Sequence, residues 1–300
     1  MEKVIVVIGP TSVGKTKMGV ALAKKFNGEV ISGDSMQIYK QMDIGTAKVT
    51  EEEKEGIIHH CVDILNPDET YSVHDFQQTV RKKITEIAQR GHVPIIVGGT
   101  GLYIKAALYD YQFDEMENDH HAINEKYKDY TNEQLHDHLK SIDEESAKIL
   151  HFNNRRRVLR AIEIYETTGK RKSEMLEEQE HICLYDAYFV GLTLPRDVLY
   201  ERINKRVDVM MENGLKEEME RLYSQGLTRN HQSMKAIGYK EWFDYYDHQI
   251  DLNDVLELIK KHSRQYAKRQ FDVHWYDVNL ENFEQTIEQV TDDIEKILKV

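Results

Sequence analysis

The stretch "VIVVIGPTSVGKT" at residues 4–16 constrains this chain more than any other. An apolar, β-branched run passes into a glycine-bearing turn, and a lysine and a threonine stand at the mouth of the helical segment behind it. The turn matches G-x-x-x-x-G-K-[ST] at Gly9, Gly14, Lys15 and Thr16. Such a turn curls successive backbone N–H groups around an anion, while the following helix directs its positive end at the same point. Gly9 and Gly14 permit the bend, and Pro10, Thr11, Ser12 and Val13 complete the loop between them. Lys15 can set its ammonium on terminal phosphate oxygens, and the Thr16 hydroxyl can ligate a magnesium ion. The segment therefore predicts a phosphate-binding site at a strand-to-helix junction.

The surrounding chain predicts an α/β fold. After the helix, Asn27-Gly28 marks a stop before the strand-like "EVISGD", and "PIIVGG" follows a helical stretch ending near Arg90-Gly91. Strand, helix, strand with glycine at the helix exits is the pattern of a doubly wound parallel sheet flanked by helices. Residues 113–184 change character, becoming charged and helical, with apolar residues three and four apart in "NEQLHDHLKSIDEESAKIL" and "RRVLRAIEIYETTG". They read as an all-helical insertion between core segments 1–112 and 185–300. In "LYDAYFVGLTLPR" a β-rich run returns and supplies the sheet with another strand.

Charge bears on the partner. A net charge of −13 ordinarily disfavours a polyanion, but the cations are clustered in "NNRRRVLRAIE" and "KKHSRQYAKRQ", the second without a single acid. Two widely separated cysteines, Cys61 and Cys183, read as small buried residues of a reducing compartment. No apolar run is long enough to span a bilayer, and the chain enters a strand without a leader, so a cytoplasmic protein with no membrane partner is expected. Neighbouring histidines, His59-His60 and His136 with His138, lack ligand-spaced companions and read as structural. The aromatics of "EWFDYYDH" read as core more readily than as a stacking platform.

Two further groups fall near the phosphate turn. Asp34 ends the "EVISGDS" strand, and ligands of open α/β sheets gather beyond the carboxyl ends of the strands. A carboxylate there can accept a proton, support magnesium through water, or simply cap a turn. The strand "PIIVGGTGLYI" ends in glycines and Thr100, where a nucleoside triphosphatase would carry an acid. Thr100 offers a hydroxyl toward whatever lies above the phosphate turn, or satisfies its own glycine turn. Arg202 and Arg206 share a helix face, either toward the ligand or in solvent with Glu201 and Asp208.

A series of long segments, "GPTSVGKT", "ISGDSMQIYKQMDIGTAK", "HHCVDI", "YSVHDF", "RGHVPIIVGGTGLYIKAAL", "NNRRRVLRAIEIYETTGK", "AIGYKE" and "QYAKRQ", resembles the bacterial tRNA dimethylallyltransferases, in that family's order. The resemblance runs to about residue 270. It implies a P-loop-kinase-like core with a helical insertion and Mg2+ dependence. The implied reaction transfers a dimethylallyl group from dimethylallyl diphosphate to N6 of an adenosine beside the anticodon of tRNA. By resemblance the phosphate turn holds the departing diphosphate, Asp34 accepts a proton from the adenine amine, Thr100 lies alongside, and Arg206 reaches the diphosphate. The segment Asp34, Ser35, Met36 and Gln37 lines the channel through which the base enters, though Met36 and Ile38 also suit a core. Arg156, Arg157, Val158, Leu159 and Arg160 resemble an RNA-contacting segment, as do Lys268 and Arg269 with Gln270, for the anticodon stem-loop. After "KRQ" many bacterial relatives continue with a threonine-tryptophan pair, whereas this chain has "FDVHWYDVN". A monomer is expected from the family. The competing reading is a P-loop small-molecule kinase using ATP, which would share the phosphate turn and employ Asp34 as base for a hydroxyl acceptor.

Overall fold

A computed structural model describes residues 1–111, 120–177, 182–270 and 276–298. The expected start of the insertion at residue 113, and residues 271–275 of the divergent tail, lie outside them. The chain runs β1 (Lys3–Ile8), α1 (Lys15–Lys25), β2 (Gly28–Ser32), α2 (Glu51–Lys54), β3 (His59–His60), α3 (Val73–Gln89), β4 (Val93–Val97) and α4 (Gly101–Leu108). Helices α5 (His120–Lys126), α6 (Asn132–Ile142), α7 (Glu144–Ile149), α8 (Arg155–Thr168) and α9 (Lys172–Glu177) follow. The chain closes with β5 (Asp186–Thr193), α10 (Arg196–Glu212), α11 (Leu215–Ser224), α12 (Trp242–Tyr246), α13 (Leu252–Lys268), β6 (Tyr276–Asp277) and α14 (Phe283–Leu298).

Six parallel strands form one sheet in the order β3-β2-β4-β1-β5-β6. Its central strands are apolar on both faces, as a sheet covered by helices on both sides requires. Val4, Val6, Ile31 and Ile96 pack with Phe76, Val80 and Ile84 of α3. Ile5, Val7, Val30 and Ile95 pack on the other face with Met18 and Leu22 of α1 and with Val290 and Ile294 of α14. Among the described residues four helices begin with the reciprocal capping box that local sequence encodes, at Thr50/Glu53, Ser72/Asp75, Thr131/Gln134 and Asp251/Asp254.

The chain divides into two compact units, Met1–Tyr109 with Cys183–Val300, and Asp110–Ile182. The second is wholly helical among its described residues. Its core is built by Leu135 and Leu139 of α6 and by Val158, Leu159 and Ile162 of α8, together with Ile123 and Tyr127. The histidines have structural partners: His60 Nε2 meets the buried carboxylate of Glu29, which Arg90 also grips. His136 faces the carbonyls of Ala147 and Leu150, and His138 meets the Tyr127 hydroxyl. Trp242 and Phe243 are buried in the core of the first unit, as is Cys61.

Candidate active site

The sheet order brings three adjacent strand ends together. β2, β4 and β1 lie side by side, and beyond their carboxyl ends come Asp34, the Gly98–Thr100 turn and the phosphate loop. The loop has the backbone its sequence demands: Gly9 and Gly14 sit at φ 145° and 110°, and Ser12 also enters positive φ at 67°. A side chain at Gly14 would in addition collide with the Phe283 ring, 2.7 Å from the added carbon. Val13 turns its side chain into the core, leaving backbone to line the loop.

Lys15 is recessed, and its ammonium donates to the Pro10 carbonyl at 2.7 Å. Burial pushes its pKa down to about 7; the nearby Arg206 adds to the fall, while Asp34 opposes it. Arg202 Nε donates to the Ser12 carbonyl at 2.9 Å, and Arg206 reaches the hydroxyls of Thr11 and Ser12, each at 3.5 Å. The shared arginine face therefore turns toward the phosphate loop. The alternative partner Asp208 is instead engaged by Lys260 at 2.8 Å.

Two cavities meet here. A polar one of about 580 Å³ is lined by Lys15, Thr16, Asp34, Glu53 and Arg206 among others. A second, of about 260 Å³, has an apolar wall from Met36, Ile203, Val207, Met210, Ile237 and Ile259. Thr11, Ser12, Asp34, Thr46, Ala47 and Arg206 border both. Asp34 thus stands at the junction, its Oδ1 accepting the Met36 N–H at 2.8 Å, so the turn-capping and junction placements hold together. Ser35 and Met36 face the apolar cavity, whereas Ile38 is core. Thr100 caps α4 without using its hydroxyl, which meets the Tyr266 hydroxyl at 3.3 Å.

Several candidates are placed otherwise than the sequence suggests. Gln37 does line the polar cavity, but its amide is engaged within the fold, accepting from Ser32 and donating to the carbonyls of Thr46 and Ala47. Val158 and Leu159, expected on an RNA surface, are 0% and 5% exposed because the apolar stripe of α8 must face its own unit. Arg160 pairs with buried Glu163 at 2.7 Å; Arg156 and Arg157 are exposed. Lys268 and Arg269 are exposed, the latter stacked over the Tyr266 ring. Gln270, grouped with them, instead contacts the phosphate loop.

One anchoring residue carries no local sequence signal. Glu218 of α11 is 2% exposed, and its carboxylate accepts the N–H groups of Asp43, Ile44 and Gly45 at 2.9, 2.9 and 3.1 Å. The Tyr239 hydroxyl donates to it at 2.6 Å. This holds the loop whose next residues, Thr46 and Ala47, wall both cavities. Only an acid far along the chain with an ordinary helical neighbourhood marks it.

Fold and site together define an α/β protein whose polar cavity, at a glycine turn bearing Lys15 and Thr16, joins an apolar one at the Asp34 carboxylate. The profile described as "IPP transferase" matches residues 37–276. A tRNA dimethylallyltransferase of Bacillus cereus (strain AH187) is 53% identical over 287 residues, covering 92% of this chain and 90% of that protein. The crystal structure of the tRNA delta(2)-isopentenylpyrophosphate transferase of Staphylococcus epidermidis superposes with a TM-score of 0.73 at 45% identity, covering 99% of each chain. A eukaryotic dimethylallyltransferase, solved in crystallographic snapshots of its action on tRNA, gives a TM-score of 0.79 at 36% identity, over 90% of this chain and 69% of that one. The chain belongs to the IPP transferase family.

Proposed function

We propose that this protein transfers a dimethylallyl group from dimethylallyl diphosphate to N6 of the adenosine next to the anticodon, position 37, of tRNA, acting as a monomer and releasing diphosphate. The observation that carries this reading is the junction: Asp34 and Arg206 border both the polar and the apolar cavity. A prenyl donor and a purine need an apolar space directly beside the anion, which this junction provides, and the family match favours this reading over an ATP-using kinase.

In this reading the phosphate loop, Lys15 and Arg206 neutralise the charge that grows on the diphosphate as the allylic carbon–oxygen bond breaks and its electron pair leaves with oxygen. The allylic carbon tolerates the positive charge left behind. The exocyclic amine attacks that carbon, and its protons become acidic as the carbon–nitrogen bond forms. Asp34 takes one of them. Thr100 contacts the bridging region or the incoming base, and Ser35 and Met36 line its entry. The base must leave the anticodon loop, where extrusion costs least. Arg156 and Arg157 on the exposed face of α8, with Lys268 and Arg269, supply charge for the RNA phosphates.

The donor set fits magnesium: Thr16, Asp34 and Glu53 offer hard oxygens to one cavity. Among the described residues no cluster of three or more acids, histidines or cysteines could cage a metal by itself. Thr16, with Asp34 and Glu53 lining the same cavity, would hold the ion, which would supply Lewis-acid stabilisation of the leaving group.

The test is mass spectrometry of tRNA nucleosides after incubation with dimethylallyl diphosphate, beside a parallel reaction with ATP and total metabolites. An isopentenyl adduct on adenosine with one diphosphate released per adduct is expected. Consumption of ATP without an adduct would restore the kinase reading.

A further inference from the structure

Helix α13 runs past the whole site on one stripe. Ile259, Ser263 and Tyr266 face the apolar cavity at helical spacing, and the next position in that series, Gln270, lies just beyond the helix end. Lys268 and Arg269, between them in sequence, are exposed. The run "KKHSRQYAKRQ" therefore has an outward cationic side and an inward polar one.

The inward side chains make three specific bonds to the site. Gln270 Oε1 accepts the Thr11 N–H at 3.1 Å, and its Nε2 donates to the Gly99 carbonyl at 2.7 Å. A donor on one side and a carbonyl on the other set the orientation of the amide. Neither glutamate, which cannot donate, nor a hydrocarbon could serve both. Gly99 leaves the space: a carbon added there would stand 2.2 Å from Gln270 Nε2. One turn earlier on the stripe, Tyr266 Oη meets Thr100 Oγ1 at 3.3 Å.

We infer that Gln270 and Tyr266 are positioning residues: the first straps the phosphate loop to the glycine turn after β4, and the second fixes the Thr100 hydroxyl that this turn carries. The inference rests on the proposed prenyl transfer for what the loop and Thr100 hold, and not for the strap itself. Tying the Thr11 N–H to Gln270 fixes the start of the loop. The consequence is that leaving group and Thr100 share one register, set by a helix whose opposite side offers cations to RNA.

The experiment uses the full chain. Inorganic pyrophosphate and tRNA affinities are measured separately for wild type, Gln270→Ala, Gln270→Glu and Gly99→Ala, with thermal melts alongside. Losing the strap should weaken pyrophosphate about tenfold in all three variants while tRNA affinity stays within about twofold. Gln270→Glu keeps side-chain volume and the bond from Thr11 but adds a charge that itself repels an anion, so Gly99→Ala, which leaves the charge unchanged, decides the strap if the alanine variant at Gln270 folds poorly. Weakened tRNA binding with unchanged pyrophosphate affinity would overturn the inference and make Gln270 an RNA contact. Unchanged affinity for both would also overturn it.

For Tyr266→Phe, kcat should fall about fivefold with little change in either KM, and should fall no further in a Thr100→Ala background. Additive losses would remove Tyr266 from the role. Failure of the wild-type protein to make an isopentenyl adduct would refute the proposed function, yet leave the pyrophosphate comparison able to judge the strap.

Discussion

Asp34 caps a turn and, in the proposed reaction, acts as the base, and the two can be separated. Its Oδ1 caps the turn at Met36, so the carboxylate is held at the cavity junction rather than free to swing. Asp34→Asn preserves an acceptor for that turn and removes the base. Turnover should drop by about 10²–10⁴, the usual worth of a positioned general base, with tRNA affinity unchanged in a filter-binding assay. Lys15 gives the site a pH dependence. In the free protein its pKa is depressed to about 7, by burial first and Arg206 second. A bound diphosphate favours the ammonium and raises that value. Binding above pH 7 must therefore take up a proton, so pyrophosphate affinity should fall by up to about tenfold per pH unit from there upward, as seen by titration calorimetry across pH. Below pH 7 Lys15 adds no such slope.

Elements differ in how plainly their residues announce a role. The phosphate loop and the strand ends at Asp34 and Thr100 were legible because each is a short-range pattern. α8 was half legible: its cations were visible, but the stripe of Val158 and Leu159 belongs to its own core, and Arg160 to Glu163. Arg156 and Arg157 remain as the exposed pair. Replacing both with alanine should weaken tRNA binding and flatten the log–log salt slope by about 1.4, the value for two contacts to single-stranded phosphates. The loop around Gly45 was not legible, since its anchor lies on α11. There Glu218 satisfies backbone N–H groups from 173 to 175 positions away. Glu218→Ala strands those groups and should destabilise the protein by about 3 kcal/mol in urea melts, with Glu218→Gln losing less.

At the scale of the whole molecule, the alternation of strands and helices in the first hundred residues specified a parallel sheet, and the charged helical stretch specified a separate unit. What escaped were the long-range pairings. β6 is two residues long, too short to leave a periodic trace, and β3 is no longer. α14 packs against α1 and presses Phe283 onto Gly14, a contact that no local pattern in either segment foretells. Gln270 read as part of a cationic run because its partner Thr11 lies 259 positions earlier. In the proposed reaction one phosphate loop serves a transfer with no phosphoryl step, because the anion it would hold is the group that departs. A structure with a thiodiphosphate analogue of the prenyl donor tests this most directly. The pyrophosphoryl end should seat against Lys15, Thr16 and Arg206, with the allylic carbon at the Asp34 junction. Finding that end lodged away from Lys15 would contradict the account.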